Sequence, residues 1–364
     1  MKREDDKKMN LSKIQKRVVE AKEPYVLVNS CAGSGKTRTL TERVKHLLNQ
    51  GVPADKIVVI TFTNAAAEVM MQRIGEVPNL ICSTVHSYAN RLLRMAGVDT
   101  TKFLNDENFD ELFALVNKHP ECIQEVDHLL LDEGQDSTKE QFDFMLRRVN
   151  PKNWTVFSDH RQSIYGFAGA YPDYIIQLID DPMVTVYNLN ENYRNSKNIL
   201  DNAKSIIRSL GRDYEDHSYS MIEDEDGRVC NVEYSPSGIC KTIARYVADG
   251  RSAYRDWFVL TRTNAELEEI YNYLLSEGIP CDTFKKANLD NKGLMDKIQE
   301  DTVKVLTIHT AKGLEADNVV VIGARFRSAE EKCVSYVAAT RAKKLLVWSN
   351  KIARRKPKAT YWGG

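Results

Sequence analysis

The chain has 364 residues, and 51 Lys and Arg are matched by 51 Asp and Glu, so its formal net charge is zero. That balance excludes the global basic surplus common in nucleic-acid binders, and any polyanion must be held by local patches. At 42% hydrophobic and 28% charged residues the composition is that of a folded chain, long enough for two to three domains of about 150 residues.

No apolar run approaches the roughly 18 residues needed to cross a bilayer, and the charged opening Met1–Lys8 leads into no signal segment. The expectation is a cytoplasmic protein with no membrane partner. Seven scattered cysteines lack any C-x-x-C pair and seven histidines lack H-x-x-x-H spacing. Reduced thiols and no structural metal cluster are expected.

Val26–Val28, Ile57–Ile60, Leu129–Leu131 and Thr155–Phe157 read as buried parallel strands. After the first, Leu40, Val44, Leu47 and Leu48 mark one helical face. A second set of strands follows at Val184–Leu189, Val229–Glu233, Trp257–Leu260, Val303–Ile308, Val319–Ile322 and Leu345–Trp348. Helices fall between them at Ile199–Leu210, Ile239–Val247 and Leu267–Leu275. This alternation, made twice, predicts an α/β chain of two doubly wound, mainly parallel domains. A border near Pro182 gives domains 1–181 and 182–364. The acidic stretch Asp213–Asp226 and the basic tail Lys351–Lys358 read as solvated surface.

Directly after the first strand runs Ser30-Cys-Ala-Gly33-Ser34-Gly35-Lys36-Thr37-Arg38. Gly33 and Gly35 permit a tight turn that aims amide N–H groups and a helix N-terminus at an anion. Lys36 would reach the β/γ-phosphates of a nucleotide, and Thr37 would hold Mg²⁺ through its hydroxyl. The strict phosphate-loop pattern fails only at its first position, Ser30. Leu129-Leu-Leu-Asp132-Glu133-Gly-Gln135-Asp136 then sets two adjacent carboxylates at the end of an apolar strand. Asp132 suits Mg²⁺, and Glu133 suits the orientation and deprotonation of an attacking water. Taken alone, the first segment has a mere strand–helix turn as its plain alternative, and the second a charged loop after a strand.

With both segments present the sequence resembles superfamily 1 helicases of the UvrD/Rep type, from Gln15 to Trp348. Thr61–Met70 is similar to that family's motif Ia, Ser83–Leu93 to Ib, Asp132–Asp136 to II and Ser158–Phe167 to III. Leu189–Arg194 resembles motif IV, Thr307–Glu315 motif V and Tyr336–Ala342 motif VI. The resemblance implies two RecA-like P-loop domains in tandem, with ATP and Mg²⁺ in the cleft between them. Gln15 would read adenine, although with Ser12 it also spells a helix capping box. Arg38 and Tyr193 would sandwich the ring, Gln162 would touch the γ-phosphate and Glu315 the ribose. Arg194 and Arg341 would act as arginine fingers from the second domain.

The same resemblance assigns Phe62, Asn64, His86, Tyr165, Phe167, Arg262 and His309 to a track for single-stranded nucleic acid, gripped by stacking. Plain alternatives are a helix cap for Asn64, core packing for Phe62, and burial under a loop for Tyr165 and Phe167. Two residues depart from the pattern: Ala168 stands where relatives usually carry arginine, and Cys333 where a basic residue is common. Relatives also place accessory subdomains, 1B and 2B, at points where this chain has only residues 95–126 and 276–302. The expectation is a stripped-down ATP-dependent motor on single-stranded DNA and duplex junctions, moving 3′→5′. An RNA-directed motor, or a switch serving a nuclease or replication partner, stands as the alternative.

Overall fold

The computed structural model describes residues 10–101, 110–223, 227–284 and 291–350. The charged opening, residues 224–226 of the acidic stretch and the basic tail lie outside the described residues. Six strands form the first sheet: β1 (Tyr25–Ser30), β2 (Ile57–Thr61), β3 (Ile81–Thr84), β4 (His128–Leu131), β5 (Asn153–Ser158) and β6 (Thr185–Leu189), in the order β3-β2-β4-β5-β1-β6. All its pairings are parallel. Every residue of β2 is buried, as expected for a strand covered by helices on both faces.

A short ribbon of β7 (Glu191–Asn192) and β8 (Tyr219–Ser220) follows. The second parallel sheet contains β9 (Arg228–Glu233), β10 (Trp257–Thr261), β11 (Cys281–Asp282), β12 (Val303–Thr307), β13 (Ala316–Ile322) and β14 (Ala342–Asn350). Their order is β11-β12-β10-β13-β14-β9. The two sheets in tandem are the two RecA-like lobes, each with helices packed on both faces.

The sequence pattern groups residues 184–189 with the second lobe, and the structure corrects this. Val26 of β1 pairs with Thr185, and the register runs on to Ser30 opposite Leu189. The first sheet therefore extends past the expected border at 181. An apolar run carries no mark of which sheet it will join, and here the edge beside β1 was open. Strands β3 and β11 also escape the pattern, because each is short and lies at a sheet edge.

Of the two short insertions, the first contributes the helix Asp110–Lys118, whose Leu112, Phe113 and Val116 are buried against the helix Val85–Met95. The second is not empty. It holds β11 and the helix Asn291–Gln299, which packs on the helix Asn64–Ile74 of the first lobe.

Arg43, on the helix Lys36–Asn49 that follows the phosphate loop, is 1% exposed. Its guanidinium donates to the carbonyls of Val18, Val19 and Ala21 and to the Thr155 hydroxyl, at 2.8–3.2 Å. It thereby bolts the N-terminal helix Lys13–Val19, and Gln15 with it, onto the phosphate-loop helix. Arg43→Ala leaves those acceptors buried without a donor and should lower unfolding stability by about 2–4 kcal/mol. Urea unfolding measures it; a reduction under about 1 kcal/mol would contradict this role.

Candidate active site and nucleic-acid interface

The C-terminal ends of β1, β5 and β4 open on one edge of the first sheet, where a parallel sheet binds its ligands. Ser30, the departure from the phosphate-loop pattern, has a structural reason. It is the last residue of β1, fully buried, and its hydroxyl donates to the Ser158 carbonyl at 2.9 Å. Beyond it, Gly33 and Gly35 take left-handed φ values of 67° and 77° that favour glycine.

Four successive carbonyls of this loop are engaged by the protein. The Cys31 carbonyl accepts from the Ser34 hydroxyl at 2.8 Å and that of Ala32 from the Asn192 amide at 2.8 Å. The Gly33 carbonyl accepts from the Tyr193 N–H at 3.0 Å, and that of Ser34 from Gln15 Nε2 at 3.0 Å. The N–H face of the loop, with the start of the helix Lys36–Asn49, is thus the side left for an anion. Gln15 makes the capping box with Ser12 as well, so its amide steadies the helix and the loop together.

Lys36 Nζ lies 3.2 Å from Glu133 Oε2. Burial alone would raise the Glu133 carboxyl, but the Lys36 and Lys312 ammonium groups outweigh it and hold it low. Asp132 is pushed up, first by burial and then by the charge of Glu133, against the Lys36 ammonium and a Thr37 hydroxyl hydrogen bond. Glu133 is one of three non-glycine residues with positive φ, at 52°, among the described residues. Gln135 donates to the same Glu133 oxygen, and its own carbonyl oxygen accepts from Ser158 and from the Asp159 N–H. A costly backbone angle held from both sides is characteristic of a functional position.

Among the described residues no group of three or more His, Cys, Asp and Glu could cage a metal. Thr37 and Asp132 instead offer one hydroxyl and one buried carboxylate, a hard oxygen set that fits Mg²⁺ carrying its remaining oxygens from phosphate and water. An ion there would relieve the burial strain on Asp132.

The second lobe reaches into the same cleft. Arg341, 1% exposed, donates from Nη2 to Gln162 Oε1 at 3.2 Å, and to the carbonyls of Val337 and Leu314 and the Thr340 hydroxyl. No carboxylate pairs with it among the described residues; burial, then the neighbouring Arg194, push it down to about 9. Gln162 is tied on its other side to Asp159 at 2.6 Å. Arg194 pairs with Glu315 at 2.5 Å, and Lys343 holds the other Glu315 oxygen at 2.8 Å. Burial would raise Glu315, but Arg194 and Lys343 bring it to about 2. The expected finger and the expected ribose contact are therefore partners here. Gly33 packs so closely under Arg194 that a Cβ would sit 2.6 Å from the Arg194 Cβ. Tyr193 bonds through its hydroxyl to Glu191 at 2.8 Å, while Arg38 opens the same helix as Lys36.

On the other side of the interface the aromatic candidates gather. Phe62 and Tyr165 have ring centroids 4.9 Å apart, Tyr165 and Phe167 6.0 Å, and Phe167 and His309 5.5 Å. Phe62 is 42% and Phe167 72% exposed, so Phe62 is not in the core and Phe167 is not buried under a loop, as their plain alternatives had it. His309 donates from Nε2 to the Ile164 carbonyl, with burial pushing its pKa down and Arg262 adding to that. Arg262 lies near Glu331 at 4.0 Å. Asn64 is exposed in the first helical turn, and Thr63, not Asn64, supplies the cap. His86 stands apart from the cluster, half-buried with its ring 5.4 Å from Phe113. Ala168 is exposed beside Phe167, and Cys333 is buried.

Sequence reasoning passed over the residues that join the parts. Lys312 pairs with Asp136 at 2.5 Å, donates to the Gln162 carbonyl at 2.8 Å, and sits 5.1 Å from the Tyr165 ring centroid. Asn195 donates to the carbonyls of Thr340 and Ala342, and Asn192 links it to the phosphate loop. Two asparagines three apart before a helix were the available signal. Arg161, enclosed by Asp159 at 2.6 Å and Asp216 at 3.6 Å, had none, because its second partner lies 55 residues away.

Asp136 is 1% exposed at its side chain, and burial raises it to about 6 despite Lys312. The native state then holds a proton there that the unfolded chain releases near pH 4, so stability should fall as pH rises from about 4 to 6. The effect amounts to about 2–3 kcal/mol, and Asp136→Asn should remove it from urea midpoints recorded across that window. Equal pH slopes in both proteins would refute it.

The UvrD/REP helicase N-terminal domain model matches residues 11–124 and 111–183, and the UvrD-like helicase C-terminal domain model matches 187–292 and 282–351. The chain is 26% identical to the ATP-dependent DNA helicase PcrA of Leuconostoc citreum, over 73% of this chain and 48% of that protein. With the ATP-dependent DNA helicase Rep of Escherichia coli it shares 23%, over 75% of this chain and 55% of that protein. With a probable DNA helicase of Mycoplasma pneumoniae it shares 23%, over 93% and 82%. The chain spans about half the length of the PcrA and Rep relatives it matches. Together the two domain models cover nearly all of residues 11–351, and the chain belongs to the UvrD/Rep helicase family.

Proposed function

We propose that the chain hydrolyses ATP while moving along single-stranded DNA, 3′→5′, as a motor reduced to its two lobes. The observation that carries this reading is Arg341: a buried guanidinium of the second lobe, without a carboxylate partner among the described residues, bonded to Gln162 in the phosphate cleft of the first. Such a group is costly unless an anion joins it, and a triphosphate in the cleft supplies one. The aromatic cluster across the same interface, with His309 from the second lobe and three rings from the first, supports a stacking track. The direction of travel rests on the family resemblance.

In this reading the Lys36–Glu133 pair is a resting contact. When a nucleotide enters, Lys36 turns to the β/γ-phosphates and Glu133 regains proton affinity as its cation leaves. Glu133 then takes a proton from water as the water oxygen bonds to the γ-phosphorus. The γ-phosphorus bond to the bridging oxygen breaks, and its electron pair stays on ADP. Thr37 and Asp132 would hold Mg²⁺, which when bound would supply neutralising charge to the phosphate oxygens. Arg341 and Arg194 neutralise the rest only while the lobes are closed, which couples cleavage to their separation.

Glu133→Gln should keep nucleotide affinity while lowering turnover about 10²–10⁴-fold, measured as steady-state phosphate release beside binding of a fluorescent analogue. Arg341→Ala should lower turnover by about 10³-fold; turnover close to that of wild type would reject a shared site. Translocation on strands with opposite tail polarity, with DNA and RNA of matched sequence, tests track and direction. Failure of any oligonucleotide to stimulate turnover would reject the motor.

A further inference from the structure

Two buried carboxylates, one from each lobe, meet at a single cation. Arg161 lies in the turn His160–Gln162 after β5 of the first lobe, and its side chain is buried together with those of Asp159 and, from the second lobe, Asp216. Its Nε donates to Asp159 Oδ1 at 2.6 Å. Its Nη1 lies 3.6 Å from Asp216 and donates to the Glu215 carbonyl at 3.2 Å. Its Nη2 donates to the carbonyl of Ser30 at 3.1 Å, at the strand end where the phosphate loop begins. Every nitrogen of the guanidinium is thus engaged by protein, and its planar fork joins both lobes to that loop.

Each carboxylate passes the connection on. The second oxygen of Asp159 accepts from Gln162 Nε2 at 2.6 Å. An ionised carboxylate can only accept, so it draws the amide nitrogen of Gln162 to itself and leaves Oε1 to face Arg341, which donates to it at 3.2 Å. Asp216 Oδ2 accepts from the Tyr336 hydroxyl at 2.8 Å. Tyr336 lies on the helix Ala329–Ala339, which ends just before Arg341 and packs against the turn His160–Gln162. The contacts close a circuit that runs from Arg161 through Gln162 to Arg341 and returns by Tyr336 and Asp216. Removing the guanidinium leaves two buried carboxylates without the cation between them, and Asp159 loses the group that fixes its other oxygen.

We infer that Arg161 is a positioning residue for ATP hydrolysis, which aligns Gln162 and Arg341 with the phosphate site through Asp159 on one lobe and Asp216 on the other. This rests on the reading of Arg341 as the finger that completes the site. Arg161 holds the finger by both ends of its support: the amide that Arg341 donates to, and the helix that delivers it.

Phosphate release by the full chain across a range of MgATP concentrations, in a double-mutant cycle with Arg341, tests it. Arg161→Met should lower kcat and kcat/KM alike, by about 10²-fold, the cost of a displacement of about 1 Å at the reacting groups. Because Arg161 acts through Gln162 and Arg341, R161M/R341A should be no slower than R341A alone, about 10³-fold below wild type. A residue that served only the fold would multiply the two losses, to about 10⁵-fold. If R161M melts early, R161K enters the same cycle, keeping the charge without the fork. Its expected loss is about 10-fold in the otherwise native chain and none beside R341A. Losses that multiply, or a folded Arg161 variant that turns over like wild type, overturn the positioning role and leave the finger standing. If R341A itself turns over like wild type, the finger reading fails and the role of Arg161 with it.

Discussion

A buried positive charge that pairs with no carboxylate among the described residues governs this architecture. Arg341 is enclosed by carbonyls, an amide and a hydroxyl, and its charge is left to an incoming anion. The phosphate loop shows the same logic in its backbone. Donors from Ser34, Asn192, Tyr193 and Gln15 occupy four successive carbonyls, so the loop presents its N–H side. Two of those donors, Asn192 and Tyr193, come from the segment after β6 that leads into the second lobe, so the loop is shaped in part by the connection between the lobes.

The cleft and the aromatic cluster are joined through few atoms. Lys312 bridges Asp136, the Gln162 carbonyl and the Tyr165 ring, while its charge also steadies Glu133. In the proposed mechanism, departure of the γ-phosphate shifts Gln162 and Arg341, and Lys312, in contact with the Gln162 carbonyl and the Tyr165 ring, passes that shift to the ring on which a base stacks. Among the described residues the two short insertions contribute short helical pieces and β11.

Much of this was legible in the residues. The strand pattern disclosed two lobes, and the glycines and paired carboxylates marked the phosphate edge, because backbone turns and charge at strand ends leave local signatures. Partnerships across the cleft left none. Arg194 and Glu315 each had a plausible separate role, yet they lie 121 residues apart in sequence and form one ion pair. His86 matched a motif, but the ring beside it belongs to a helix of the short insertion, and so it packs on Phe113. The strand at 185–189 was visible as a strand and invisible as a member of the first sheet, since sheet membership is decided by which edge is open.

In the proposed motor, nucleotide closes the two lobes through Arg341. Distance distributions between a spin label on exposed Cys230 of the second lobe and one on a cysteine replacing exposed Lys139 of the first, recorded with and without a non-hydrolysable ATP analogue, address it most directly. One narrow distribution is expected when the analogue is bound to the otherwise native chain, and a broad one when Arg341 is replaced by alanine. Identical distributions in the two proteins would contradict it.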